Sequence, residues 1–110
     1  MKIIVAGTGF VGLTHAAVLS EYGHEVYAYD IDARKIAAYQ SGEHDQIHRY
    51  VNEPGLVSTI KENMGRYLFF VNEVESLIEG ADAIFLCLPT PPNPDGSSDL
   101  SYYFDAANYL

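Results

Sequence analysis

Three glycines and one aspartate in the first thirty residues have the types and spacing that hold a dinucleotide. An apolar run leads into the segment Gly7–Gly12, an alanine-rich stretch follows, and a second apolar run ends at Asp30. Gly7 suits a tight turn, Gly9 leaves no Cβ between the backbone and a diphosphate, and Gly12 lets a helix lie close to the preceding strand. The start of that helix offers free N–H groups and a partial positive charge to phosphate.

Asp30 has the position of an acid that binds a ribose. It lies 18 residues after Gly12, close to the expected spacing of about 20. A carboxylate there accepts hydrogen bonds from a ribose diol and repels a 2′-phosphate, so NAD is favoured over NADP; Arg34 and Lys35 nearby weaken this preference. Flavin and S-adenosylmethionine proteins use similar turns, and a solvated turn residue is the alternative interpretation of Asp30.

The elements that must position these residues alternate between strand and helix. The predicted strands are Lys2–Ala6, Glu25–Tyr29, Tyr67–Val71 and Ala83–Leu88. The predicted helices are Phe10–Glu21, a helix capped by Asp32 that runs to Gln40, one from Pro54 to Asn63, and a short one capped by Asn72 that runs to Glu79. Residues 42–53 show no clear period and are predicted to form a loop. Right-handed crossovers then build a parallel sheet.

This alternation predicts an α/β fold. It is a Rossmann-type doubly wound parallel sheet of strand order 3-2-1-4, truncated at four strands, in a three-layer α/β/α arrangement. The last strand is apolar throughout, as suits a parallel strand that is covered on both faces.

Length and charge restrict the classes of partner. The chain has 110 residues and a formal net charge of −9, which predicts one small domain and argues against nucleic acid or an anionic membrane as partners. The apolar runs are too short for a membrane span, and the first strand begins too early for a signal peptide, so a cytoplasmic location is expected. The single cysteine, Cys87, is expected to be a buried structural thiol.

A proline-rich segment follows the last strand. It contains four prolines between Pro89 and Pro94, which excludes both helix and ladder pairing. The segment leaves the C-terminal edge of the sheet, where ligands bind in such folds, so Thr90 could place a hydroxyl beside a cofactor. A rigid linker is the alternative. Asp99 then caps a predicted helix that runs from Leu100.

Two histidines four residues apart, His44 and His48, would share one face of a helix and could bind a metal ion. Because they fall in the predicted loop, a solvated loop without a metal is expected.

Taken together, these segments resemble the N-terminal domain of the UDP-glucose/GDP-mannose dehydrogenase family over essentially the whole chain. The matching segments are Gly7–Leu13, Gly23–Val26, Asp30–Asp32, Glu53–Leu56, Pro89–Pro92 and Asp95–Tyr102. The resemblance implies an enzyme that oxidises the C6 hydroxymethyl group of a nucleotide-linked hexose to a carboxylate, with two NAD molecules in succession and a bound thioester.

The resemblance also implies roles for individual residues. It places Asp30 and Lys35 on the adenosine ribose, and the glycine turn with the Phe10 and Val11 backbone on the pyrophosphate. Pro89 and Thr90 are assigned to the cofactor, with Thr90 near the nicotinamide side.

Family members are several times longer, and their catalytic cysteine, lysine and asparagine lie in later segments. Residues 1–110 are therefore expected to be an incomplete NAD-binding domain without the catalytic and substrate domains, which binds NAD without turnover and meets a nucleotide sugar only in a full-length enzyme. A stand-alone NAD-binding or sensor module, or a fragment of a hydroxyacid or hydroxyacyl-CoA dehydrogenase, is the alternative. An unpaired last strand also predicts self-association through its edge or through the last helix.

Overall fold

A computed structural model of the chain describes residues 1–88 and 93–97. Its sheet has four parallel strands in the order β3-β2-β1-β4, which confirms the predicted topology. The strands are β1 Lys2–Ala6, β2 Glu25–Tyr29, β3 Leu68–Val71 and β4 Ala83–Leu86. The carboxyl ends of β1, β2 and β4 therefore lie side by side at one edge of the sheet.

Five helices connect and flank these strands in the described part of the chain. They are α1 Phe10–Glu21, α2 Ala33–Ser41, α3 His44–His48, α4 Leu56–Asn63 and α5 Glu75–Ile78. The predicted bounds of β1, α1 and β2 are confirmed to the residue. The side chain of Asp32 accepts hydrogen bonds from the N–H groups of Arg34 and Lys35, and so caps α2 as predicted. None of these helices is long and apolar enough to cross a membrane.

The core lies between one face of the sheet and the helices packed on it. Alternate residues of the strands, such as Ile3, Val5 and Val26, pack with Leu13 and Ala16 of α1 in one cluster. The opposite face is less covered. On that face the rings of Tyr27 and Phe69 stack with their centroids 5.2 Å apart, and both residues remain half-buried.

The loop predicted for residues 42–53 is wrong, because α3 forms within it. Ile47 is fully buried and Val51 is 3% exposed, and the Val51 N–H donates to the Ile47 carbonyl over 3.0 Å. Two apolar residues four apart therefore anchor a helical turn whose other residues are polar. Because the residues around Ile47 and Val51 are polar, the sequence of this segment shows no clear helical period.

Two helices start later than predicted. α4 begins at Leu56 and not at Pro54, because Gly55 takes the left-handed conformation with φ of 80° and serves as the N-cap. α5 begins at Glu75 after the N-cap Val74 and not after Asn72. Val74 is 4% exposed, so burial of its side chain fixes where this short helix starts.

The last strand is shorter and more exposed than predicted. β4 ends at Leu86 and not at Leu88, all four of its residues are at least partly exposed, and Phe85 is 40% exposed. Within the described residues β4 pairs only with β1, so it lies at the edge of the sheet and is not covered on both faces. β3 likewise begins one residue late, at Leu68.

Candidate dinucleotide site

The glycine turn lies at the carboxyl edge of the sheet, between the ends of two strands. The Gly7 N–H donates to the Tyr29 carbonyl over 2.8 Å, and the Cys87 N–H donates to the Ala6 carbonyl over 2.7 Å. These bonds continue the ladder beyond the ends of β1 and β4. They hold the turn at the position where ligands bind in open parallel sheets.

Two of the three glycines are required by the packing of the turn itself. Gly7 has φ of 103°, and a Cβ on it would overlap the carbonyl oxygen of Cys87. A Cβ on Gly12 would overlap the carbonyl oxygen of Gly7 and lie 3.2 Å from the Cβ of Cys87. Strand β4, the turn and α1 therefore come together at a distance that only glycine allows.

Gly9 is different, because nothing in the described fold requires a glycine there. Its φ is −74°, which any residue adopts, and a Cβ built on it has no neighbour within 4 Å. The space beside Gly9 opens outward at the carboxyl edge of the sheet. Bare backbone with open space beside it fits the close approach of a diphosphate.

The first turn of α1 has unused hydrogen-bond donors. The first bond of the helix runs from the Leu13 N–H to the Gly9 carbonyl over 2.9 Å, and α1 has neither a side-chain cap nor an acidic residue in its first turn. Within the described segments, the N–H groups of Phe10, Val11 and Gly12 have no acceptor. Three donors at the positive end of a helix fit an anion.

Asp30 is tied to this turn by its own hydrogen bonds. Its Oδ2 accepts from the Thr8 N–H over 3.0 Å and from the Thr8 hydroxyl over 2.8 Å. Its Oδ1 accepts from the Asp32 N–H over 2.9 Å, and the Lys35 ammonium lies 3.5 Å from Oδ2. Since Asp30 is only 9% exposed, it is not a solvated turn residue.

The surroundings of Asp30 favour its ionised form. Burial by itself raises the pKa of this carboxyl, but the N–H of Asp32, the N–H and hydroxyl of Thr8, and the Lys35 ammonium together lower it below its ordinary value. A carboxylate oxygen accepts two hydrogen bonds, so Oδ1 keeps an acceptor position beyond its bond to Asp32. An ionised carboxylate with one free acceptor position fits a ribose hydroxyl.

Thr8 and Tyr39 belong to the same network, although the sequence pattern predicts no role for either. Both are fully buried, and the Tyr39 hydroxyl donates to the Thr8 carbonyl over 2.6 Å. Burial raises the pKa of Tyr39 far above its ordinary value, so the phenol stays protonated and donates. The sequence signal that could have identified this network is Thr8, a hydrogen-bonding residue between two glycines.

Three exposed apolar residues lie next to these polar groups in the chain. Ile31, directly after Asp30, is 85% exposed, and Phe10 and Val11 are each 56% exposed at the start of α1. Apolar side chains that flank convergent donors are typical of small-molecule sites. Ile31 is a further residue that the sequence analysis did not assign.

The structure thus brings together Gly7, Gly9, Gly12, Asp30 and Lys35; that these residues bind a cofactor stays a prediction. Pro89 and Thr90, also assigned to the cofactor, lie outside the described residues.

Cys87 follows the end of β4 and is only partly buried, in contrast to the fully buried position expected from the sequence. Burial nevertheless raises the pKa of its thiol. A raised pKa keeps the thiol protonated and unreactive at neutral pH.

Comparison with known proteins supports the same ligand. All of residues 1–110 match the model of the UDP-glucose/GDP-mannose dehydrogenase family, NAD binding domain. The UDP-glucose 6-dehydrogenase TuaD of Bacillus subtilis is 36% identical over 110 residues, which cover 99% of this chain and 23% of TuaD.

Solved structures give the same picture. The chain superposes on GDP-mannose dehydrogenase from Pseudomonas aeruginosa with a TM-score of 0.83 at 29% identity, covering 96% of this chain and 23% of that one. It superposes on a UDP-glucose dehydrogenase from Pyrobaculum islandicum with a TM-score of 0.83 at 33% identity, covering 96% and 24%. The chain thus spans about a quarter of the length of these proteins.

Proposed function

Because this chain belongs to the UDP-glucose/GDP-mannose dehydrogenase family as its NAD binding domain, we propose that it is the NAD-binding portion of a nucleotide-sugar dehydrogenase. The observation that carries the proposal is Gly9, whose Cβ position faces open space beside three N–H groups without acceptors in the described structure. Neither the backbone conformation nor the packing explains a glycine there, whereas close approach of a diphosphate does.

This geometry and the family resemblance support the following roles for the residues. The Gly9 backbone and the N–H groups of residues 10–12 bind the diphosphate of NAD. Asp30 accepts a hydrogen bond from the adenosine ribose, and Lys35, 3.5 Å from its Oδ2, helps to hold that carboxylate in place. Gly7 and Gly12 have no side chain, and their role is to allow the close contact between β4, the turn and α1.

Pro89 and Thr90 complete the proposed site through the family resemblance. They follow β4 in the sequence, and the resemblance places Thr90 on the nicotinamide side of the cofactor.

In the whole protein we propose oxidation of the C6 hydroxymethyl group of a UDP-hexose to a carboxylate with two NAD molecules. NAD supplies the hydride acceptor when bound, and this chain binds and orients it. The polypeptide of residues 1–110 is expected to bind NAD without turnover. Burial raises the pKa of its single thiol, Cys87, which disfavours the thiolate that a thioester requires.

The proposal is tested by calorimetric titration of the chain with NAD, NADP and UDP-glucose in parallel. We expect NAD to bind and NADP to bind at least tenfold more weakly, a difference of about 1.4 kcal/mol, because the 2′-phosphate meets the ionised Asp30. UDP-glucose alone is expected to give no binding heat. Absence of NAD binding would overturn the proposal.

A variant of Arg34 separates the effects of the Arg34 and Asp30 charges on the preference for NAD over NADP. Arg34→Gln removes a cation that favours a 2′-phosphate, so its preference for NAD over NADP should exceed that of the wild type. Equal binding of NAD and NADP by this variant would remove Asp30 from the discrimination.

We further propose that the polypeptide of residues 1–110 self-associates through the β4 edge or through the helix predicted from Leu100, which lies outside the described residues. In the described sheet β4 follows β1 at the end of the strand order, and Phe85 on that strand is 40% exposed. Exposed apolar edge strands pair with other chains, and a lysine on the edge opposes such pairing. Sedimentation velocity at micromolar concentration should show a dimer for the wild type. Phe85→Lys should be a monomer if the β4 edge forms the contact and a dimer if the predicted helix from Leu100 does. A clean wild-type monomer would contradict this.

A further inference from the structure

A second groove, of about 380 Å³, lies between α3 and the start of α4 and shares no lining residue with the dinucleotide site. His44 and His48 line one side of it, and Ser58 and Lys61 of α4 line the other. None of these residues takes part in the proposed function. The groove therefore needs a separate explanation.

Because α3 forms, His44 and His48 lie on a helix and not in a loop. The helix places them on one helical face with their ring centroids 3.8 Å apart, whereas the sequence predicted a solvated loop. The Nδ1 of His44 lies 3.3 Å from Asp45 Oδ1, so its Nε2 is the atom that remains for another partner. Two imidazoles in contact are thus available to one ligand.

The charge of the groove is opposite to that of the whole chain. The chain carries 15 acidic and only 6 basic residues, yet the seven residues that line the groove include no carboxylate. The carboxylates on α3 and its N-cap have partners of their own: Asp45 Oδ1 lies 3.3 Å from the Nδ1 of His44, and Glu43 accepts from the Gln46 amide over 2.9 Å. Lys61, the one lysine or arginine among the lining residues, therefore sets a positive local potential.

The donor set fits an anion better than a metal ion. Within the described residues no group of three or more His, Cys, Asp and Glu side chains could hold a metal ion, and the ammonium of Lys61 repels a divalent cation. In addition, α4 begins here with the N–H groups of Val57 and Ser58 without an acceptor in the described segments. The start of a helix favours negative charge.

We propose that this groove binds the phosphate group of a small molecule, held by His44, His48 and Lys61. Nucleic acid is a poor candidate, because the phosphate backbone is repelled by an acidic chain. A single phosphate in the groove interacts mainly with the charges close to it, because salt screens the more distant charges of the chain. Imidazolium and ammonium groups make charge-assisted hydrogen bonds to phosphate oxygens.

The test is titration of the 110-residue chain with inorganic phosphate and with glycerol 3-phosphate at pH 6. Ionic strength is held constant with chloride, and amide chemical shifts are followed by NMR. We expect saturable shifts in α3 and at the start of α4. The His44→Gln/His48→Gln variant and the Lys61→Gln variant should each bind about tenfold more weakly or worse, as expected when a charged hydrogen-bond partner is lost.

Three controls make the result specific. His24→Gln removes a histidine far along the chain from the groove and should bind phosphate like the wild type. NAD affinity should be unchanged in His44→Gln/His48→Gln, so the proposal is tested separately from the dinucleotide site. Circular dichroism establishes that each variant is folded, and the single variant His44→Gln, at an exposed position, serves if the double variant is not.

The outcomes are distinct. Tighter binding of glycerol 3-phosphate supports a phosphorylated metabolite as ligand, and tighter binding of inorganic phosphate supports the free ion. Equal phosphate affinity in wild type and variants overturns the proposal. Zinc binding that the double variant loses, without any phosphate effect, also overturns it and assigns a metal site instead.

Discussion

Gly12→Ala is expected to lower the free energy of unfolding by about 3 kcal/mol or more, near the upper end of the cost of overpacking. The added Cβ would overlap the carbonyl oxygen of Gly7, which is backbone and cannot rotate away. Relief requires α1 to move off the turn, and the Cβ of Cys87 at 3.2 Å restricts that movement. Urea denaturation measures the effect, and wild-type stability for this variant would show that the turn is packed less tightly.

Gly9→Ala is the matched control and separates packing from ligand binding. Its Cβ has no neighbour within 4 Å, so the change in stability should stay within about 1 kcal/mol, the cost of alanine at an N-cap. NAD affinity should nevertheless fall at least tenfold, about 1.4 kcal/mol, because the methyl group occupies the space proposed for the diphosphate. Unchanged NAD affinity in Gly9→Ala would place the cofactor elsewhere.

Replacement of Asp30 is expected to lower both stability and NAD affinity. Asp30→Ala leaves the Thr8 N–H and hydroxyl and the Asp32 N–H without their acceptor, which should cost about 2–4 kcal/mol of unfolding free energy. NAD binding should weaken by roughly 1–3 kcal/mol, since the ribose loses a charged acceptor. Asp30→Asn keeps the shape of the side chain and removes its charge, so it tests binding in a better-folded background.

The contribution of Asp30 also has a definite pH dependence. Because the folded-state pKa lies below the ordinary value of 3.8, the carboxylate contributes its full stability above that value. The contribution is lost as the pH falls through the lower folded-state pKa. Wild-type stability should therefore fall more steeply below about pH 4 than that of Asp30→Asn.

Asp45→Asn is the comparison for both effects, since the Asp45 side chain is fully exposed. It should match the wild type in unfolding free energy and in NAD affinity at neutral pH. If Asp30→Asn behaves like Asp45→Asn in urea denaturation at pH 7 and pH 3, the network around Asp30 does not stabilise the fold.

Local signals in the sequence account for the first half of the fold. The bounds of β1, α1 and β2 follow from apolar runs that end at Gly7, Gly23 and Asp30, because strand, turn and helix within one βαβ unit are set by neighbours in the chain. The cap at Asp32 is equally local, since its acceptor and its donors are only two and three residues apart.

The remaining features depend on contacts between residues far apart in the chain. Ile47 is fully buried because it meets a core built from distant segments, and that burial turns a polar stretch into α3. The hydrogen bonds that hold Asp30 beside the glycine turn come from Thr8, 22 residues earlier. The Tyr39 hydroxyl in turn donates to the carbonyl of Thr8, 31 residues away in the chain.

The sequence alone therefore determined the strand order, through the alternation of strand and helix along the chain and the right-handed crossover rule. It also determined the glycine turn and the acid beside it, since these depend on residue type and spacing within one unit. The tertiary structure decided which donors that acid accepts, where α3 forms and that His44 and His48 face one groove. The physical reason is that burial and hydrogen bonding depend on contacts between segments distant in the chain, and no local sequence pattern specifies those contacts.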